Sequence, residues 1–145
     1  MIDMVKAMAA LPDEPRKTML GERLQMFAEM GEQERARAMR EMVSALSTLP
    51  RADQKRLIST RMAVLLELPD AARKTLMSTH MQVLQGLPQE AQRGDVEIVN
   101  ELMDQMPEAM RATAKQKMGD MLAPMLHQVH TQQGKKYGWC PACQG

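Results

Sequence analysis

Residues 49–67 read LPRADQKRLISTRMAVLLE and residues 68–86 read LPDAARKTLMSTHMQVLQG. Each begins with leucine-proline, and Ser59-Thr60-Arg61-Met62 is answered nineteen residues later by Ser78-Thr79-His80-Met81. The same opening recurs at the same interval in both directions: Leu11-Pro12, Met30-Gly31, Leu87-Pro88 and Met106-Pro107. The interval never slips, so the chain is an array of one short unit, and this repetition decides the architecture.

Proline at the second position is tolerated at a helix start, where its missing donor has no partner to lose. It also drives the preceding residue out of helical geometry and so ends the previous helix. Acidic residues then crowd the first turn: Asp13, Glu14, Glu32, Glu34, Asp53, Asp70, Glu90 and Glu108. They sit where the positive end of the helix dipole favours them. Each unit therefore reads as one helix of roughly four turns, with a corner of two or three residues.

The apolar columns agree. Position ten holds Leu20, Met39, Ile58, Met77 and Val96, and position fourteen holds Leu24, Val43, Met62 and Met81. Position seventeen holds Phe27, Leu46, Leu65, Leu84, Met103 and Leu122, and position sixteen (Met26, Ala45, Val64, Val83, Leu102, Met121) widens the stripe. Steps of four and three mark one helical face. The expected fold is all-α: six single-helix repeats over residues 11–124, preceded by a capping helix at residues 1–10. A helix end and a Cys/His tail follow over residues 125–145. In pattern the array resembles two-helix solenoids, with a compact bundle as the rival. Lys115, Asn100 and Gly119 interrupt columns that are apolar earlier, as in the atypical final repeats of an array.

Composition bounds the function. The 145 residues suffice for a buried core. A net charge of +1 argues against a nucleic-acid binder driven by bulk charge. No apolar run approaches the ~20 residues of a membrane span, and the N-terminus lacks a basic region followed by an apolar stretch. A cytoplasmic location is the expectation. Seventeen methionines against three aromatic residues imply a core filled by adaptable side chains, or else an adaptable binding surface. The methionines are not gathered into the polar segment that copper(I) capture by thioethers would use.

An arginine recurs at position six: Arg16, Arg35, Arg73 and Arg111, with Gln54 and Gln92 between. Such a ladder is expected on an exposed face, as solvated ion pairs or as a seat for an anionic partner. His80 shares the column of Arg23 and Arg61 and is expected at the surface.

The tail carries the remaining chemistry. His127 and His130 share a helical face, and after nine residues Cys140 and Cys143 form a Cys-x-x-Cys turn. Two imidazoles and two thiolates are the ligand set of tetrahedral zinc. Trp139-Cys140-Pro141-Ala142-Cys143 also resembles the redox turn of thioredoxins, although that turn needs a preceding strand and a following helix. In an undocked tail, Tyr137 and Trp139 would be natural anchors for a partner.

No nucleophile–base pair, phosphate loop or paired buried carboxylate is recognisable. The expectation is a non-enzymatic scaffold or accessory subunit that binds a protein partner or a larger complex, or assembles with itself, and carries zinc in its tail. Two alternatives remain: an accessory subunit holding a quinone or lipid in a Met-lined channel, and a metal or redox carrier working through the Cys-x-x-Cys turn.

Overall fold

The computed structural model describes residues 1–144, and all regular structure among them is helical. The elements are α1 (Ile2–Ala9), α2 (Asp13–Glu29), α3 (Glu32–Ser47), α4 (Arg51–Glu67), α5 (Asp70–Gln85), α6 (Gln89–Gln105), α7 (Glu108–Gln133) and the short α8 (Pro141–Gln144). Helices α2 to α7 begin nineteen residues apart, in step with the repeat. The chain divides into two compact units, one from Met1 to Gln92 and one from Arg93 onward.

Proline serves as the residue just before the helix rather than its first turn. Pro12, Pro50, Pro69 and Pro107 have φ between −60° and −55° and ψ between 149° and 161°, and Gly31 adopts the same extended geometry. Each carbonyl there accepts the first helical hydrogen bond from the backbone N–H at position six, as in Arg16 to Pro12 at 3.0 Å and Arg35 to Gly31 at 2.8 Å.

The position-six side chain closes the same corner. Arg16 donates to the Leu11 carbonyl at 2.7 Å, Arg35 to Met30 at 2.7 Å and Arg73 to Leu68 at 2.8 Å. Gln54 and Gln92 reach the Leu49 and Leu87 carbonyls at 2.8 and 2.7 Å. In the second unit, Arg111 donates to the carbonyls of Met103, Asp104 and Met106. Helix C-termini leave carbonyls without intrahelical donors, and the long side chain of the next helix supplies them. The expected exposure of the ladder is therefore corrected: Arg16 and Arg73 are 5% and 4% exposed, and Arg35 and Arg111 are half-buried. Ion pairing survives only at the outer edge, where Arg16 and Arg73 each meet the aspartate three residues before, Asp13 and Asp70.

Within the first unit, helices pack most closely on their next-but-one neighbours, α2 on α4, α3 on α5 and α1 on α3, while α1 also meets α4 and α2 meets α5. A repeat that is one helix in sequence thus becomes a two-layer arrangement in space. The corners alternate accordingly. Helices α2 and α4 end in an extended residue, Met30 or Leu68, whereas α3 and α5 end through a helical one, Thr48 or Gly86. Two long-range bonds from the ladder tie alternate helices together, beside the exposed pair of Lys17 and Glu67 at 2.6 Å. Arg16 Nε donates to Thr60 Oγ1 at 2.7 Å and Arg35 Nε to Thr79 Oγ1 at 2.8 Å. Arg73 is the exception, because its buried Nε has no hydrogen-bond partner.

The core follows the columns with six departures. Leu20, Met39, Ile58, Met77, Phe27, Leu46 and Leu84 are buried, but Leu65, Met81, Val96, Leu102 and Met121 are only half-buried and Met26 is 50% exposed. Beside Phe27, Met8, Met39 and Met42 lies an apolar cavity of about 50 Å³, with Arg61 and His80 among its lining. His80, expected at the surface, is half-buried there.

Candidate metal centre

The second unit builds its site on α7. This helix does not stop where the sixth repeat does. It runs through Pro124 to Gln133, and the proline is accommodated inside the helix at the loss of its backbone hydrogen bond. The extension carries His127 and His130 on one face. Gly134 then ends the helix in the left-handed conformation, φ 65° and ψ 30°. The Lys135 N–H bonds back to the His130 carbonyl at 3.0 Å and the Gly134 N–H to Thr131 at 3.1 Å, a pattern that reverses the chain. Three residues on, Tyr137 to Cys143 return over α7. The Cys140 N–H donates to the Tyr137 carbonyl and the Cys143 N–H to Cys140, both at 3.1 Å, which folds the cysteines into a tight turn.

The four expected ligands converge. One potential ligand atom from each of His127, His130, Cys140 and Cys143 can be chosen so that all lie within 4.8 Å of one another. His130 Nδ1 stands 3.1 Å and His127 Nδ1 3.7 Å from Cys143 Sγ. Neighbouring ligand atoms of a tetrahedral zinc are about 3.3–3.8 Å apart, given bonds of about 2.0–2.3 Å. A contraction of about 1 Å at the widest pair brings the set to that geometry. Both cysteines are free thiols and buried, His130 is buried, and His127 is partly exposed. The donor set therefore fits a metal ion of the kind that imidazole and thiolate bind together.

Residues outside the ligand set hold the turn in place. His130 Nε2 lies 2.6 Å from Asn100 Oδ1. Tyr137 stacks on the His130 ring at 4.1 Å and Trp139 meets it edge-on at 5.2 Å. The Trp139 indole N–H donates to Asp104 Oδ1 at 2.9 Å, Lys115 Nζ donates to the Trp139 carbonyl at 2.8 Å, and Arg111 lies over the indole ring. Tyr137 donates to Gln133 and accepts the Gln144 amide at its carbonyl. The two aromatic residues, natural partner anchors in an undocked tail, here cover the histidine: Tyr137 is buried and Trp139 half-buried. Only an undocked tail would leave them free, and this tail is docked.

Asn100 and Lys115 are the residues sequence reasoning undervalued. Both interrupt apolar columns, and both contact the tail or its histidine. The apparent decay of the repeat at these two positions marks the seat of the tail. The signal was present as polar residues in core columns, paired with a terminal segment containing every cysteine and most histidines.

Burial lowers the His130 pKa below its ordinary value, with the neighbouring His127 acting in the same direction and Asp104 opposing. Burial, followed by a hydrogen bond with Cys143, raises that of the Cys140 thiol. A redox turn of the thioredoxin sort needs the opposite, a depressed thiol pKa, and no strand precedes the turn here. No family model, curated protein or solved structure matches this chain.

Proposed function

We propose that the chain is a non-enzymatic helical-repeat interaction protein whose C-terminal unit is closed by a structural zinc ion. The convergence of His127, His130, Cys140 and Cys143 within 4.8 Å is the observation that carries this reading. Four protein ligands complete a tetrahedral shell and leave no position for substrate, which is the pattern of structural rather than catalytic zinc. Two thiolates favour zinc over calcium or magnesium, which take oxygen ligands. The tail has a small core of its own, Tyr137, Cys140 and Cys143 with Trp139 against it, so metal binding would supply much of its folding energy.

The repeat body is the natural partner-binding part, since arrays of stacked helices present extended surfaces. Its position-six arginines serve the corners in this reading, and the partner is a protein rather than an anionic ligand lying along them. The Met-lined cavity gives the quinone or lipid alternative little support. About 50 Å³ exceeds one water's share of liquid volume, but falls well below the ~150 Å³ that admits benzene. No helix of the described residues is long and apolar enough to cross a membrane, and the free thiols suit a reducing compartment such as the cytoplasm.

The test is a cobalt(II) titration of the reduced chain followed by zinc competition. Tetrahedral coordination by two thiolates and two imidazoles gives intense visible absorption and thiolate charge-transfer bands, both displaced by one equivalent of zinc. A weak octahedral spectrum, unchanged by Cys140→Ser, would contradict the reading.

A further inference from the structure

In the first four repeats, the column of Asn100 carries an apolar side chain, buried at Leu24, Val43 and Met62 and half-buried at Met81. Repeat five places an amide there, buried to 2% exposure. A buried amide left unpaired is destabilising, so its partner matters. That partner is His130, whose Nε2 lies 2.6 Å from Asn100 Oδ1. A carbonyl oxygen can only accept, so the imidazole hydrogen sits on Nε2. The lone pair is then on Nδ1, which faces Cys143 Sγ at 3.1 Å.

We infer that Asn100 is a positioning residue of the metal centre: it holds His130 in the Nε2–H tautomer and thereby makes Nδ1 the ligand atom. This rests on the zinc reading above and extends it to the residue that orients the ligand. Imidazole ligands commonly donate their second N–H to a fixed acceptor, which sets the tautomer and the ring plane. Tyr137 and Trp139 restrain the same ring by stacking and edge contact, but neither selects between its nitrogens. The choice of amide over carboxylate also follows from charge. A divalent ion with two thiolates and two neutral imidazoles is neutral, and a carboxylate at position 100 would bury an additional negative charge beside it.

The experiment has two readouts. In the metal-free, 15N-histidine-labelled chain, long-range proton–nitrogen correlation spectra should show His130 as the Nε2–H tautomer. Asn100→Leu, which restores the apolar residue of the repeat, should convert it to a tautomer mixture, while Asn100→Asp should keep Nε2 protonated. In cobalt and zinc titrations, Asn100→Leu should bind about ten- to a hundredfold more weakly than the unaltered chain. An Nδ1–H tautomer in the unaltered chain would overturn the inference without any variant. So would wild-type metal affinity and an unchanged tautomer in Asn100→Leu. Failure of the unaltered chain to bind either metal would instead overturn the zinc reading, and the tautomer spectra would still decide whether Asn100 sets the ring.

Discussion

Arg16 Nε donates to Thr60 Oγ1 at 2.7 Å across 44 residues, and Arg35 repeats the bond to Thr79 one unit later at 2.8 Å. The separation is two repeats plus six residues, so the bond joins helices that are next-but-one neighbours. It uses the one guanidinium nitrogen left over once the terminal nitrogens have met the corner carbonyl and, for Arg16, Asp13. A side chain read as a surface charge is thus a buried tie between alternate helices of the first unit.

Thr60→Val keeps the shape of that contact and removes its acceptor, leaving a buried charged donor unpaired. Unfolding in urea should show a loss of about 1–3 kcal/mol. Thr79→Val should lose less, because Arg35 is only half-buried and water can replace the hydroxyl. Equal effects at the two sites, or none at either, would contradict this role for the two bonds between alternate helices.

Gln54 holds its corner through the Leu49 carbonyl. Replacing Gln54 with Ala should destabilise the first unit by about 1 kcal/mol, measurable in the same urea titrations. Gln54→Arg should largely preserve stability, since arginine performs this task at Arg16, Arg35 and Arg73.

Helix starts were readable because proline, glycine and first-turn acids act locally, and each lies where a helix begins. The metal-ligand cluster was readable because both cysteines and two of the three histidines lie in one short segment. The layering was not inferred, yet a signal existed: Glu29 and Glu67 close the odd repeats while Thr48 and Gly86, poorer helix formers, close the even ones. The burial of the arginines was hidden for a different reason. Their partners are backbone carbonyls, which every sequence possesses and no side-chain pattern announces.

Gly134 turns the tail back with φ 65°, and a Cβ added there would meet nothing within 4 Å. Gly134→Ala should therefore act through the backbone alone, at about 1–2 kcal/mol. Because Trp139 is the only tryptophan, its fluorescence reports docking of the tail directly. The variant should show redder emission and a lower tail-melting midpoint in the metal-free chain. Gly138→Ala, where φ is not positive and no atom is near, should leave both unchanged.

Proton release on metal binding follows from the raised Cys140 pKa. Burial keeps that thiol protonated at neutral pH in the metal-free chain, so it must lose its proton when zinc binds. His130, with its lowered pKa, is already neutral at pH 7 and contributes none. The apparent affinity should rise with pH through the neutral range. Calorimetry in buffers of different ionisation enthalpy should show net proton release, reduced in Cys140→Ser. Binding without released protons would mean that the thiols are not ligands.

Native mass spectrometry of the reduced chain after zinc addition and desalting tests the central claim most directly. The account predicts one zinc per chain, retained by the unaltered protein and lost from the Cys140→Ser/Cys143→Ser double variant. A chain that retains no zinc, or a double variant that retains it equally well, would contradict the account.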